Sequence, residues 1–121
     1  MSVEEEYLMR NKPTRFYSSR QEKKVAKEIG GKTVANSGAA NFVGGDVQND
    51  NFLIECKTTT AEHKKSFSIK EEWLTKISDE AIGMRKQGYA LCFDFGEQSD
   101  RYYIISEKMF KRLNRYLSEE E

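Results

Sequence analysis

The chain has 121 residues, of which 37% are hydrophobic and 12% aromatic, enough for one packed domain and too many for a disordered chain. No apolar run approaches the roughly 20 residues that span a bilayer, and the acidic N-terminus has no apolar signal core, so we expect neither a membrane protein nor a secreted one. Twenty acidic residues balance 20 basic ones, but residues 4–6 and 119–121 are all glutamate, and without them 14 acids face 20 bases. A basic body favours a phosphate-bearing partner, and an ordinary soluble surface is the alternative.

Residues 1–17 are predicted to form an N-terminal arm, residues 18–117 a single domain and residues 118–121 an acidic tail. Arg15 lies among aromatic residues of the arm and is a candidate contact to a nucleic-acid backbone; the alternative is a loosely packed terminus. Residues 18–29 predict a helix that ends at the Gly30-Gly31 pair. Glu22 shares the apolar face of this helix, and it either completes a capping box with Ser19 or points toward acids on a sheet.

Residues 32–36 predict a strand, and residues 46–48 and 52–57 predict a hairpin across the turn at 49–51. Residues 66–69 predict a small extra strand, and residues 70–87 a helix that ends at Gly88. Residues 89–95 and 101–105 predict two further strands, and residues 107–117 a terminal helix with Phe110, Leu113 and Leu117 facing inward. This order predicts an α/β fold in which helices flank a mixed central sheet, with a crossover through the second helix.

Acidic and basic residues meet at the end of the predicted hairpin. Because a strand alternates faces, Glu55 and Lys57 project from one face while Cys56 projects from the other. Asp46, on the neighbouring strand, supplies a second carboxylate, and the carbonyl of Cys56 a third oxygen. Mg²⁺ takes oxygen ligands and often only one or two carboxylates, so this pattern predicts a magnesium site that hydrolyses phosphate esters. The alternative is a surface salt bridge at a strand end.

Glu22, the Gly45-Asp46-Val47 segment and the Ile54-Glu55-Cys56-Lys57 segment resemble the PD-(D/E)xK nucleases, and most closely the small Holliday-junction resolvases of archaea and phages. The resemblance covers residues 18–90 and implies a restriction-endonuclease-like αβββαβ core. It implies that Glu22, Asp46, Glu55 and Lys57 bind Mg²⁺ and catalyse strand hydrolysis, with Mn²⁺ able to substitute. It also gives Ser37 a catalytic role, and Gly45 stands where the family name has proline.

The resemblance implies a homodimer that acts on branched DNA in a bacterial, archaeal or phage-infected cell. Cys56 and Cys92 lie in apolar runs with no disulfide framework, which predicts a reducing cytoplasm. Arg20, Lys64, Lys65 and Lys70 are further candidate phosphate contacts, or else a solubilising face. Two other functions stay open: a nuclease for linear or nicked DNA in phage packaging or restriction, and a non-catalytic nucleic-acid-binding module of the same fold.

Overall fold

A computed structural model of the chain describes residue 2 and residues 14–34, 45–58, 63–96 and 98–120, with side chains described from residue 19 onward. These residues form three helices and five strands. In chain order they are α1 (Thr14–Glu28), β1 (Lys32–Thr33), β2 (Val47–Gln48), β3 (Phe52–Lys57), α2 (Glu71–Gly83), β4 (Gly88–Asp94), β5 (Arg101–Ile104) and α3 (Glu107–Glu120).

The five strands form one mixed sheet in the order β1-β2-β3-β4-β5. β3 and β4 are parallel, with α2 as the crossover between them, and the other three pairs are antiparallel. The β2–β3 turn is closed by the side-chain oxygen of Asn49, which accepts hydrogen bonds from the amides of Asn51 (2.9 Å) and Phe52 (2.8 Å). The predicted α/β class, the mixed sheet and the central hairpin are confirmed.

Helices cover both faces of the sheet. Because side chains alternate along β3, the strand contributes apolar residues to the packing on each face. Ile54 and Cys56 pack with Val25 and Ala26 of α1 in one buried cluster. Leu53 points the other way and packs with Ile77 of α2. Glu55 and Lys57 share the face of Leu53, so they emerge on the side of the sheet that α2 covers.

Two predicted boundaries are wrong near the helix starts. α1 begins at Thr14, so Ser19 lies inside the helix. It therefore cannot be the N-cap of the capping box that was predicted with Glu22. Residues 66–69 form no strand; instead Phe67 packs its ring 5.3 Å from that of Phe93, which holds the segment by side-chain contact.

The end of α2 also differs from the prediction. The helix stops at Gly83, Arg85 adopts a left-handed φ of 57°, and Gly88 begins β4 instead of ending the helix. The reason is non-local: the amides of Gln87 and Gly88 donate to the carbonyl of Asn51 at 2.9 and 3.1 Å. The chain therefore leaves the helix early to reach the start of β3.

The predicted inward face of the terminal helix is wrong. α3 forms as expected, but Phe110, Leu113 and Leu117 are 61%, 47% and 52% exposed. The helix follows β5, which is the edge strand, and α1 and α2 already cover the two faces of the sheet. No helix in the described ranges is long and apolar enough to cross a membrane.

Candidate active site

The site is built around the turn into β2, where Gly45 and Asp46 lead into the strand. Gly45 has a φ of 73°, and a Cβ atom there would lie 2.7 Å from Cγ of Leu53. Proline fixes φ near −65°, so this backbone cannot hold the proline of the family name. The glycine lets the chain pass against Leu53 and deliver Asp46 to the end of the hairpin.

Asp46 is fixed against β3 by backbone and side-chain bonds. Its amide donates to the carbonyl of Ile54 at 2.8 Å, and its carboxylate Oδ2 accepts from the amide of Cys56, also at 2.8 Å. Asp46 is thus attached to β3, the strand that carries Glu55 and Lys57. This attachment holds the carboxylate in one position, as a ligand site requires.

Asp46 and Glu55 form a close acid pair. Burial, and after it the negative charge of Asp46, raise the pKa of Glu55 to about 7. Positive charge from Lys57 and Lys76 acts in the opposite direction without cancelling the rise. Glu55 therefore holds its proton more tightly than it would in water.

Lys57 completes the constellation on the same face. Its Nζ lies 3.7 Å from Oε1 of Glu55 and 4.4 Å from the ring centroid of Trp73. A cation above an indole face is attracted by the ring quadrupole, so Trp73 helps to hold the ammonium group beside the acids. Trp73 lies on α2, the helix that covers this face of the sheet.

Glu22 approaches β3 from the other face. It lies on the α1 side, half-buried, and its charge is one of the influences that raise the pKa of the Cys56 thiol; the hydrogen bond with Cys92 and burial are larger ones. The thiol thus stays protonated and is a poor metal ligand. The structure brings Asp46, Glu55 and Lys57 together on the face of β3 that α2 covers, whereas Glu22 lies on the α1 side, the side to which Cys56 points.

The paired carboxylates fit a divalent cation. Two partly buried carboxylates side by side would have their charges neutralised by Mg²⁺, which commonly keeps waters and substrate phosphate as its other ligands. Asp46 and Glu55 would hold the ion, and the carbonyl of Cys56 is the expected third oxygen. Within the part of the chain that is described, no three His, Cys, Asp or Glu side chains are placed to enclose an ion by themselves.

The predicted phosphate contacts have different positions. Lys65 and Lys70 are exposed, and Nζ of Lys70 lies 5.8 Å from the Trp73 ring centroid. The amide of Lys64 donates to the carbonyl of Phe95, which fastens this basic segment next to the end of β4. Arg20 is half-buried on α1. Ser37 and the side chain of Arg15 lie outside the described residues, so their predicted roles stay predictions.

Sequence reasoning missed a buried polar link that supports the site. Asp94, 5% exposed at the end of β4, accepts hydrogen bonds from Nε2 of Gln21 (3.0 Å), Oγ1 of Thr58 (2.9 Å) and the amide of Gly96 (3.1 Å). Nε2 of Gln21 also donates to the carbonyl of Lys57 at 3.0 Å. The link ties α1 and β4 to the end of β3. A carboxylate inside an apolar run was the available signal, because such a group requires donors.

Comparison with protein-family models, with curated proteins and with solved structures found no match in any of the three.

Proposed function

We propose that this chain is a Mg²⁺-dependent endonuclease of the PD-(D/E)xK type that hydrolyses phosphodiester bonds in DNA. The observation that carries the proposal is the convergence of Asp46, Glu55 and Lys57 at the end of β3, with Asp46 hydrogen bonded to the Cys56 amide and the lysine 3.7 Å from Glu55. The order of the first six elements, α1-β1-β2-β3-α2-β4, supports the restriction-endonuclease-like core that the motif implies. Mn²⁺ would take the place of Mg²⁺ at the same oxygens.

The roles divide among the residues by charge. Asp46 and Glu55 hold the metal, which when bound lowers the pKa of a water and offsets negative charge on the phosphate. Lys57 is a fixed cation beside them, placed to donate to a non-bridging phosphate oxygen or to orient the attacking water. Glu22 is proposed to bind a water on the α1 side. Ser37 keeps the role implied by the resemblance.

DNA would approach over the exposed basic residues near the site. Lys64, Lys65 and Lys70 follow the end of β3 in sequence, and a phosphate contact through Lys70 would lie close to Trp73, whose ring also holds Lys57. Arg15 and Arg20 extend the same role to α1. Because phosphate contacts release counterions, binding should weaken steeply with salt.

Within this class we propose a resolvase of four-way DNA junctions that acts as a homodimer in the cytoplasm. Two symmetric cuts in a junction with twofold symmetry require two sites related by a twofold axis. The deciding experiment compares junction, flap, nicked and linear duplex DNA with Mg²⁺, with Mn²⁺ and with excess EDTA. Paired cuts in the junction are expected; preference for linear duplex would replace the resolvase by a nuclease of packaging or restriction.

The chemistry is tested by Asp46→Asn and Glu55→Gln, which keep the size of each side chain and remove its charge. Each should lower cleavage by about 1,000-fold or more while DNA binding in Ca²⁺ or EDTA changes little. Glu72→Gln, at an exposed position of α2, is the matched control and should cleave like the wild type. Cleavage that persists in EDTA would exclude the metal mechanism, and absence of cleavage on every substrate would favour a non-catalytic DNA-binding module.

A further inference from the structure

A row of aromatic rings lies beside the candidate active site, on the face of the sheet that α2 covers. Neighbouring ring centroids in the row are 5.3–6.5 Å apart, and the residues in order are Trp73, Phe67, Phe93, Phe95 and Tyr102. The ring of Trp73, at one end, lies against the ammonium group of Lys57. The row, which we call the aromatic platform, therefore begins at the candidate site and extends from α2 to β5.

The platform stays partly open to solvent. α2 packs over β3 and β4, and β5 lies beyond them as the edge strand of the sheet. Leu91 lies on the same face of β4 and is 0% exposed, whereas Tyr102 on β5 is 49% exposed. The other rings of the platform are half-buried. An aromatic surface left open beside a candidate site indicates a binding surface for a flat, apolar group.

The platform is also close to the proposed phosphate contact at Lys57. In the register of the sheet, Lys57 is paired with Phe93, and Phe93 is paired with Tyr102. Tyr102 therefore lies two strand spacings, roughly 10 Å, from Lys57, a distance that a short stretch of extended DNA strand covers. A phosphate at Lys57 would thus bring the neighbouring bases over the platform.

Basic groups border the platform. Nζ of Lys70 lies 5.8 Å from the ring centroid of Trp73. The amide of Lys64 donates to the carbonyl of Phe95 at 2.6 Å, so the segment that runs from it to Lys70 is fastened beside the rings. Lysines that hold phosphates and rings that stack bases are the combination that binds single-stranded nucleic acid. The charge and shape of this surface therefore fit an unpaired strand.

We propose that the aromatic platform stacks unpaired bases of the DNA strand whose phosphate is held at Lys57, with Tyr102 as its outermost ring. Bases in an uninterrupted duplex are stacked on each other and cannot reach the platform without unpairing. The substrate class is therefore DNA with unpaired bases next to the cut, as beside a flap or at an opened branch point. This inference rests on the proposed function, because that function brings a DNA strand to Lys57.

The first test measures whether the protein recognises the bases of a single strand through Tyr102. Two ligands of about 12 nucleotides are compared at low salt in EDTA: oligothymidylate, and the same sugar–phosphate backbone without bases. The wild type should bind the strand that carries bases about tenfold more tightly, because each stacked base adds to the affinity. Tyr102→Leu fills the space without an aromatic face and should lose this preference, whereas Tyr102→Phe should keep it.

The second test uses matched controls. Tyr116 is 58% exposed on α3 and lies near Phe52, at the opposite end of β3 from Lys57, so Tyr116→Leu should keep the wild-type preference. Duplex DNA of the same length should bind Tyr102→Leu and the wild type equally, because its bases are paired. Tyr102 is half exposed, so Tyr102→Leu should keep the circular dichroism spectrum of the wild type.

Equal affinity of the wild type for the two single strands overturns the inference, as does a preference that Tyr102→Leu retains. An equal loss of duplex binding in Tyr102→Leu also overturns it, because the ring would then act through the fold rather than through unpaired bases. A protein that prefers the strand with bases but cuts no DNA in Mg²⁺ would contradict the nuclease proposal and leave this inference intact.

Discussion

The hairpin of β2 and β3 and the terminal helix α3 both carry apolar residues at regular spacing, yet only the hairpin buries them. Leu53 and Ile54 are 0% and 3% exposed, whereas Leu113 and Leu117 are 47% and 52% exposed. β3 lies between α1 and α2, so both of its faces are covered by the same chain. α3 follows an edge strand, and its large apolar residues stay exposed. Periodicity thus predicts that a face will be covered, but not by which molecule.

The two regions also differ in how far their ion pairs are exposed to water, and this difference gives the largest expected effect of a substitution. Lys57 lies 3.7 Å from Glu55 in the half-buried site, and Lys111 lies 3.3 Å from Glu107 on exposed α3. Lys57→Met should lower kcat for DNA cleavage by about 100- to 1,000-fold, because the fixed cation beside the acids is lost. Lys111→Met should leave kcat unchanged, because its pair is solvated. Equal turnover of both variants in a Mg²⁺ assay would remove Lys57 from the mechanism.

The burial contrast is tested by one substitution made in both regions. Leu53→Ala should lower the free energy of unfolding by about 3 kcal/mol, because it leaves a cavity between β3 and α2. Leu117→Ala, measured by urea denaturation at roughly 1 µM protein or less, should lower it by under about 0.5 kcal/mol, because the side chain is already half in water. A large cost at Leu117 in dilute protein would indicate that the same chain covers α3.

The acid pair predicts a pH dependence that α3 does not share. The folded pKa of Glu55, about 7, lies above its ordinary value of 4.5, so the folded state binds the proton more tightly. This contribution to stability is complete below pH 4.5 and is lost as pH rises through 7. Without metal, the unfolding free energy should therefore fall by on the order of 2 kcal/mol between pH 5 and pH 8 relative to that of Glu55→Gln.

Saturating Mg²⁺ should reverse the direction of this difference, because metal binding requires the ionised carboxylate. Denaturant titrations at several pH values, in EDTA and in Mg²⁺, measure both effects. If the unfolding free energies of the wild type and Glu55→Gln change with pH in parallel, folding does not raise the pKa of Glu55.

The smallest expected effect concerns the buried link behind the site. Gln21→Leu removes the donor to Asp94 and to the carbonyl of Lys57, and it should cost about 1–2 kcal/mol of unfolding free energy. Gln98→Leu, at an exposed turn, is the matched control and should cost nearly nothing. Thermal denaturation of both variants distinguishes the outcomes, and equal midpoints would mean that water replaces Gln21 as the donor.

Local signals predicted the parts of the fold that depend on neighbours in sequence. The turn at 49–51 closes on the Asn49 side chain, and the alternation along β3 correctly sorts Leu53 from Ile54. The end of α2 could not be predicted, because it is decided by the Asn51 carbonyl more than 30 residues earlier in the chain. The start of α1 was missed because Ser19 resembles a cap, although the helix continues through it.

In the candidate site, too, the sequence predicts what depends on neighbouring residues and misses the contacts between distant elements. The sequence places Glu55 and Lys57 on one face and pairs them with Asp46 through the hairpin. It does not indicate that Trp73 holds Lys57, nor that Gln21 reaches Asp94, since these contacts join elements that only the folded sheet brings together. It gives the face of α1 that carries Glu22 but not the side of the sheet against which α1 packs.

The left-handed backbone at Gly45 has a consequence for engineering. A consensus design that follows the family name would introduce proline before Asp46. Here Gly45→Pro would demand a φ of the opposite sign and would force atoms into Leu53 and Ile77. A proline introduced to match the family name would thus displace Asp46, the first acid of the proposed metal site, and thermostability screens of this chain should keep residue 45 as glycine.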